Sequence, residues 1–211
     1  MMKRRLRILL LIAVLISPVL AFAGAYEEML SAVTMRDADK VGQLLQRGMD
    51  VNTSDRMGNT LLMLAARNGD IKTLDLLLRN RANILKKNKY MDTALMLASL
   101  QGCLQCVTAL VQAGAEINPD GWTPLIYAAF EGHAGIVRFL LTLDIDVDAQ
   151  SDTGFTALMA ASRHNHLEIV KILLEHDADS SLTNQDNVTA LDMAIKAGHS
   201  VMVTILKGQA K

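Results

Sequence analysis

The only two cysteines of the chain, Cys103 and Cys106, form a C-x-x-C motif within the segment QGCLQC. Such a motif can act as a redox-active dithiol, supply half of a metal site, or place two ordinary side chains on a helix. A dithiol oxidoreductase would need a thioredoxin-like βαβ context around the motif. The choice among these chemistries therefore depends on the elements that position the two cysteines.

Three histidines recur at a spacing of 33 residues, at His133, His166 and His199. A shared zinc ion needs each ring nitrogen about 2.0–2.1 Å from the metal, whereas packed helices lie about 8–10 Å apart. We therefore expect each ring to bond to nearby backbone and predict no metal site. Methionines that recur at one helical position are expected to fill the core: Met63, Met96 and Met159.

Catalytic motifs are missing from the sequence. It contains no phosphate-binding P-loop, no G-x-S-x-G and no H-E-x-x-H. Its carboxylates fall mostly at expected turns and solvent faces, where charged side chains usually lie. We predict that the protein is not an enzyme and needs no cofactor.

A repeat of about 33 residues organises most of the chain. Five similar segments begin with threonines spaced 33, 30, 33 and 33 residues apart: Thr60, Thr93, Thr123, Thr156 and Thr189. Each threonine can cap the N-terminus of a first helix. In four of the five units a glycine follows where that helix should end: Gly69, Gly102, Gly132 and Gly198. A second apolar stripe then predicts a second helix in each unit.

The segments GWTPLIYAAFEGHAGIVRFL (121–140) and TGFTALMAASRHNHLEIVKILLEHDAD (153–179) closely resemble ankyrin repeats. The resemblance covers about residues 26–207 as six units, the first and last of them degenerate caps. It implies an all-α solenoid of helix-turn-helix units with short β-hairpin fingers, which binds partners mainly through its concave face. The histidine usual in the family's T-P-L-H motif is replaced here, which should weaken the polar network between units: Met63, Met96, Ile126, Met159 and Asp192.

The N-terminus has the layout of a secretory signal peptide. A basic segment precedes an apolar run over 8–20, which is short for a membrane span of about 20 residues, and Ala21-Phe22-Ala23 forms a cleavage site. We expect a signal peptide over 1–23, an ankyrin-repeat domain over 24–211, and a periplasmic or secreted protein. Retention of the segment as an uncleaved anchor is the alternative.

Removal of the signal peptide changes the balance from 21 Lys and Arg against 22 Asp and Glu to 17 against 22. An acidic domain is a poor ligand for nucleic acid, which needs clustered basic residues. We expect a monomer that binds another protein, with no nucleic acid and no membrane among its partners once the signal is cleaved.

Within this repeat, Cys103 takes the position of His133 and His166, and Cys106 takes a core position. Cys106 can pack as a small apolar residue, or the two thiols can form a disulfide in an oxidising compartment. A bond between positions three apart on a helix would distort the first turn. A redox-responsive protein that uses this pair is therefore an alternative function.

The family resemblance places the partner-binding surface on the finger tips and on the exposed ends of the first helices. Aromatic and apolar side chains with arginines at the rim fall there: Met57, Arg67, Tyr90, Leu100, Trp122, Phe130, Phe155 and Arg163. Such exposed patches usually mark interaction sites, although these side chains can also pack across adjacent fingers. We expect a protein-binding module that restrains or protects a partner in its compartment. A secreted effector of a host protein is a further alternative.

Overall fold

The computed structural model describes residues 24–208; the predicted signal peptide and residues 209–211 lie outside this range. Helix α1 covers 24–34 of the described residues. Eleven more helices follow in the described chain: α2 (Ala38–Gln46), α3 (Leu61–Asn68), α4 (Ile71–Arg79), α5 (Ala94–Gln101), α6 (Leu104–Gln112), α7 (Pro124–Glu131), α8 (Ala134–Leu140), α9 (Ala157–Arg163), α10 (Leu167–Glu175), α11 (Ala190–Ala197) and α12 (Ser200–Lys207). None of the helices within 24–208 is long and apolar enough to cross a membrane.

The helices pair in sequence and stack into a solenoid. The odd-numbered helices from α3 to α11 pack side by side as an inner row, and α2, α4, α6, α8 and α10 form an outer row against them. No unit can bury its apolar face alone, so the stack itself creates the core. That core is almost wholly aliphatic and runs continuously through the units. The predicted all-α solenoid is confirmed.

Five fingers precede the inner helices, each defined here as the five residues before a capping threonine: finger 2 (55–59), finger 3 (88–92), finger 4 (118–122), finger 5 (151–155) and finger 6 (184–188). The hairpins expected there are minimal. Among the described residues, pairing is limited to single bridges between Ser54 and Thr60 and between Thr183 and Thr189. In fingers 2, 3, 5 and 6 the amide of the first residue also donates to the carbonyl of the last, at 2.9–3.1 Å.

The five threonines cap the inner helices as expected from the sequence. Each hydroxyl oxygen accepts the N–H of the residue three positions on, at 3.1–3.3 Å. In three units the residue that replaces the family's histidine accepts a hydrogen bond from the backbone amide of the capping threonine. The Thr60 and Thr93 amides donate to the sulfur atoms of Met63 and Met96 at 3.4 and 3.2 Å. At the last unit the Thr189 amide donates to Asp192 at 3.0 Å. Met63 and Met96 thus still form a hydrogen bond with the capping threonine of their own unit.

The recurring histidines join successive units. Nε2 of His133 lies 3.0 Å from the Leu100 carbonyl oxygen, and Nε2 of His166 lies 3.0 Å from that of Phe130. His199 makes the same contact with the Arg163 carbonyl at 3.2 Å. These carbonyls end the preceding inner helix, where no intrahelical donor is available. The expected backbone bond is present, and it crosses between units.

A glycine at the end of the preceding inner helix leaves room for each of two histidine rings. Gly132 has φ +87°, and a methyl group built on it would lie 2.6 Å from Cε1 of His166. Gly69 has a similar φ of +66°, but its nearest neighbour would be 3.5 Å away, on Gln101. Gly132 therefore serves both the backbone turn and the inter-unit contact, whereas Gly69 serves only the turn.

The substitution Gly132→Ala should destabilise the protein more than Gly69→Ala. Both place a Cβ in the left-handed region, which costs about 1–2 kcal/mol. Gly132→Ala should also displace His166 and lose its hydrogen bond, for about 1 kcal/mol more. Urea unfolding of both variants measures the difference. In a His166→Ala background the two costs should become equal; if the excess persists there, the ring is not its cause.

Candidate functional site

Trp122 is the centre of an aromatic cluster at the junction of finger 4 and the inner helices. Its ring centroid lies 5.0 Å from that of Tyr127 and 5.7 Å from that of Phe130 on α7. The Phe155 ring of finger 5 stacks on it at 5.9 Å. Centroid separations of 4.5–7 Å are typical of favourable aromatic pairs. Trp122 and Phe130 each remain half-exposed, so the cluster presents an apolar surface to solvent.

The structure corrects the expectation for Phe155. Its side chain is only 7% exposed, because it lies beneath Trp122 and within the core at the base of finger 5. Phe155 therefore packs across adjacent fingers and offers no contact area to a partner. Its contribution to the surface is to support the indole ring of Trp122 from below.

The other residues predicted for this surface are accessible. Met57 and Tyr90 are 38% and 68% exposed at the tips of fingers 2 and 3. Arg67 and Arg163 are exposed at the ends of α3 and α9, and Leu100 is half-buried at the end of α5. Together with Trp122 and Phe130 they follow the fingers and inner-helix ends of units two to five. We call these seven residues the finger-side surface.

His164 extends the aromatic cluster to the next unit. Its ring centroid lies 4.2 Å from that of Phe130 and 6.1 Å from that of His166. Partial burial and then the positive charge of Arg163 lower the pKa of His164 below its ordinary value. The imidazole is therefore neutral at pH 7 and adds a flat, uncharged contact beside Phe130.

A hydrogen-bonded ladder that the sequence analysis missed stiffens fingers 2 and 3. The Asn59 side-chain amide donates to Asp55, and that of Asn88 donates to the Asn59 oxygen, both at 2.8 Å. The Asn88 amide also donates to Asp92 at 3.3 Å, and the Tyr127 hydroxyl donates to the same carboxylate at 2.6 Å. Asn59, Asn88 and Asp92 are buried. They bind one another and are not available to a partner.

A pattern in the sequence could have revealed part of this ladder. The first residue of four fingers accepts the amides two and four positions on: Asp55, Asn88, Ser151 and Asn184. Aspartate, asparagine and serine are the residue types that form such turns. Asn118 holds the same position in finger 4 but binds the next loop, at Asp144 and Asp146. Finger 4 is therefore built differently from the others.

The cysteines of the C-x-x-C motif form a disulfide across the first turn of α6, with a Cα–Cα distance of 5.2 Å. Cys103 is the N-cap of α6, and its sulfur accepts the Cys106 amide at 3.2 Å. Cys106 is fully buried in the core, while Cys103 is half-buried. The described residues contain no cluster of three or more His, Cys, Asp or Glu that could hold a metal. Cys103 occupies the position where the next three units carry a histidine.

A groove of about 310 Å³ continues the finger-side surface at its C-terminal end. It lies between finger 6 and α11, with Arg163 from the preceding unit at its side. Its lining mixes charged and apolar side chains: Arg163, Asn184, Asp186, Val188, Met193, Lys196 and Ala197. Arg163, which was predicted to lie at the rim of the surface, also lines this groove.

Comparison with known proteins identifies the family. Models of ankyrin repeats match residues 44–98, 83–151 and 143–211. Human protein phosphatase 1 regulatory subunit 27 is 36% identical over 114 residues, which cover 52% of this chain and 74% of that protein. The chain belongs to the ankyrin-repeat family, whose members are protein–protein interaction modules.

Other relatives share only part of their length with this chain. A Caenorhabditis elegans homolog of transient receptor potential cation channel subfamily A member 1 is 39% identical over 102 residues. That match covers 47% of this chain but only 8% of the channel. The similarity therefore concerns the repeats and not the rest of the channel.

Solved structures share the same architecture. The human ASB11 ankyrin repeat domain superposes with a TM-score of 0.81 at 23% identity, over 87% of this chain and 83% of that domain. A chain in the complex of the predatory endopeptidase Bd0816 from Bdellovibrio bacteriovorus with the immunity protein Bd3460 gives a TM-score of 0.78 at 28% identity. The alignment covers 87% of this chain and 98% of that one.

The Tyr127–Asp92 bond generates a prediction for stability at neutral pH. The substitution Tyr127→Phe removes a hydrogen bond to a buried carboxylate and should lower the free energy of unfolding by about 1–2 kcal/mol. The matched change Tyr90→Phe removes an exposed hydroxyl and should stay within about 0.5 kcal/mol of the wild type. Urea unfolding at pH 7 compares the two; equal effects would mean that the ladder does not stabilise the fold.

The same bond should make stability depend on alkaline pH. Burial, and then the Asp92 carboxylate, raise the pKa of Tyr127 well above its ordinary value. The folded protein therefore holds this proton more tightly than the unfolded chain does. The contribution is fully present below pH about 10 and is lost as the pH rises above that value. Between pH 9 and 11 the wild type should lose more stability than Tyr127→Phe; parallel profiles would contradict the assignment.

Proposed function

We propose that this protein is an exported, non-enzymatic binding module that holds a partner protein on its finger-side surface and restrains or protects it. The observation that carries the proposal is the half-exposed aromatic cluster around Trp122. The Trp122 and Phe130 rings contact each other at 5.7 Å, and the buried Phe155 ring stacks on Trp122. Tryptophan is among the residues that are most enriched at binding hot spots.

The shape of the surface favours a protein ligand over a small molecule. The accessible aromatic and apolar side chains extend over units two to five, with Arg67 and Arg163 at the rim. An apolar centre with a polar rim is the usual anatomy of a protein interface.

The structural comparison supports a role in restraint or protection. The complex with a TM-score of 0.78 joins an endopeptidase to an immunity protein. The signal-like N-terminus supports export, because its basic and apolar segments precede a small-residue cleavage site. A periplasmic enzyme is accordingly the partner class that we propose, held by a monomeric mature chain.

Affinity capture from periplasmic extract of the native host tests the proposal. The mature protein should retain one enzyme, and the double variant Trp122→Arg, Phe130→Arg should lose it by at least tenfold. The matched control Leu104→Arg, Val201→Arg changes two exposed apolar residues on α6 and α12, the second helices of their units, and should bind normally. Circular dichroism must show that both variants are folded.

Three outcomes would contradict the proposal in different ways. Equal capture by the aromatic variant and the wild type would mean that the partner uses another surface. Loss of capture in the outer-helix control would point to the second helices. If no protein is retained by the wild type at a concentration that saturates the beads, the binding function itself fails.

A second candidate function is favoured by the disulfide between Cys103 and Cys106. Cys103 is half-buried and lies at a helix N-terminus, where a thiolate is stabilised. A redox-responsive protein would exchange this disulfide with a dithiol of the compartment. The exchange would return both cysteines as thiols and oxidise the donor dithiol.

Thiol trapping in intact cells tests this candidate. Acid quenching and alkylation should reveal a mixture of oxidised and reduced chains, and the ratio should shift when the host is treated with dithiothreitol or diamide. The Cys106→Ser variant controls for background labelling of Cys103. A pair that stays fully oxidised, or fully reduced, in untreated cells and in both treatments would exclude a redox response.

A further inference from the structure

We infer that the tip of finger 3, formed by Tyr90 and Met91, is a knob that inserts into an apolar pocket with an acidic rim on the partner protein. This inference rests on the proposed function and identifies the chemistry of the partner's surface. Tyr90 and Met91 are 68% and 63% exposed. Four observations on the described residues carry it.

The first observation is the backbone conformation of Met91. Its φ is +66°, in the left-handed region that disfavours residues with a Cβ. The equivalent position of every other finger holds glycine or asparagine, which tolerate this conformation: Gly58, Gly121, Gly154 and Asn187. Met91 is the one apolar residue among the six non-glycine residues with positive φ in 24–208. Its side chain is too exposed for packing to offset that cost.

The second observation is that finger 4 makes no backbone hydrogen bond to finger 3. The Lys89 amide donates to the Met57 carbonyl, which joins finger 3 to finger 2, and the Gln185 amide joins finger 6 to the Thr153 carbonyl of finger 5. The equivalent donor position of finger 4 is Pro119, which has no N–H to give to Tyr90.

The loop before finger 4 also differs from the loop before finger 3. The segment 113–122 between α6 and Thr123 is three residues shorter than the segment 80–92 between α4 and Thr93. Asn118 also binds the following loop and not its own finger. Tyr90 is therefore not bonded to unit four through its backbone, and most of its surface is open to a partner.

The third observation is that the apolar tip is continuous with the proposed interface. Met57 is 38% exposed on the adjacent finger and is held against Lys89 by the backbone bond. Tyr127, which contacts Trp122, also binds Asp92 at the base of finger 3. The Tyr127 side chain thus connects the knob to the Trp122 cluster, so both can contact the same partner.

The fourth observation is the charge around the knob. Arg56 and Lys89 are exposed at the tips of fingers 2 and 3. The carboxylates of the same fingers are occupied, because Asp55 accepts hydrogen bonds from finger 2 and Asp92 is buried against Tyr127. The tips of the next fingers are acidic: Asp120, Asp152 and Asp186. The exposed charge at the knob is therefore positive and fits a pocket rimmed by carboxylates.

The substitution Met91→Gly separates the conformational cost from the binding contribution. Relief of the left-handed strain exceeds the added freedom of the unfolded chain, so the thermal midpoint should rise by about 1–4 °C. The matched change Asn187→Gly should raise it less, since asparagine already tolerates the conformation. A midpoint that falls in Met91→Gly would overturn the argument from strain.

Photocrosslinking in the native host tests the identity of the occupant. The full chain carries p-benzoylphenylalanine at position 90, at position 122, or at the outer-helix position 201 as background. We expect crosslinks from positions 90 and 122 to the same protein. The crosslinked peptide from position 90 should map to apolar residues flanked by Asp or Glu, and its yield should fall at least threefold in the Met91→Gly background.

The outcomes distinguish the inference from the function on which it rests. A crosslink from position 122 without one from position 90, or a site on the partner that lacks carboxylates, overturns the inference alone. A lipid adduct from position 90 would assign the knob to an anionic membrane and also overturn it. An undiminished yield in Met91→Gly excludes Met91 from the contact. If neither position exceeds the background of position 201, the proposed function fails as well.

Discussion

Stacking of the inner helices is the interaction on which the rest of the structure depends. A single unit exposes most of its apolar residues, so each helix pair is stable only against its neighbours. The stack also fixes the spacing of side chains that lie 30 or 33 residues apart in the chain. The bond from His166 to the Phe130 carbonyl and the ring contact of Phe155 with Trp122 both follow from that register. The binding surface is therefore a product of packing, although its residues lie in turns.

Much of this architecture could be predicted because it repeats. The capping threonines, the histidine period and the terminal glycines recur with local physical reasons, and the all-α solenoid follows from them. Contacts between particular side chains of different units do not repeat in the same way. The burial of Phe155 depends on Trp122 in the preceding finger, and the role of Asp92 depends on Tyr127 one unit later. Each of these contacts depends on one particular residue in a neighbouring unit, so the repeat pattern of the sequence could not reveal it.

The finger-side surface is supported by a rigid base and adjoins a strained tip. The ladder from Asp55 to Tyr127 satisfies buried polar groups that would otherwise be costly, and it fixes the base of fingers 2 and 3. The same ladder supports a tip whose backbone is unfavourable for methionine. A stable base allows a strained tip to persist. This arrangement limits the loss of side-chain freedom when a partner binds.

The replacement of the recurring histidine by Cys103 affects how the solenoid responds to force and heat. Units three to six are linked in series by imidazole bonds to backbone carbonyls, whereas the junction between units two and three has none at this position. In a linear array each junction sets the local cooperativity. The junction between units two and three is held instead at its fingers, where the Asn88 side-chain amide donates to Asn59 and the Lys89 amide donates to the Met57 carbonyl. Tension along the solenoid would therefore fall on the fingers at this junction, and on the imidazole contacts as well at the later ones.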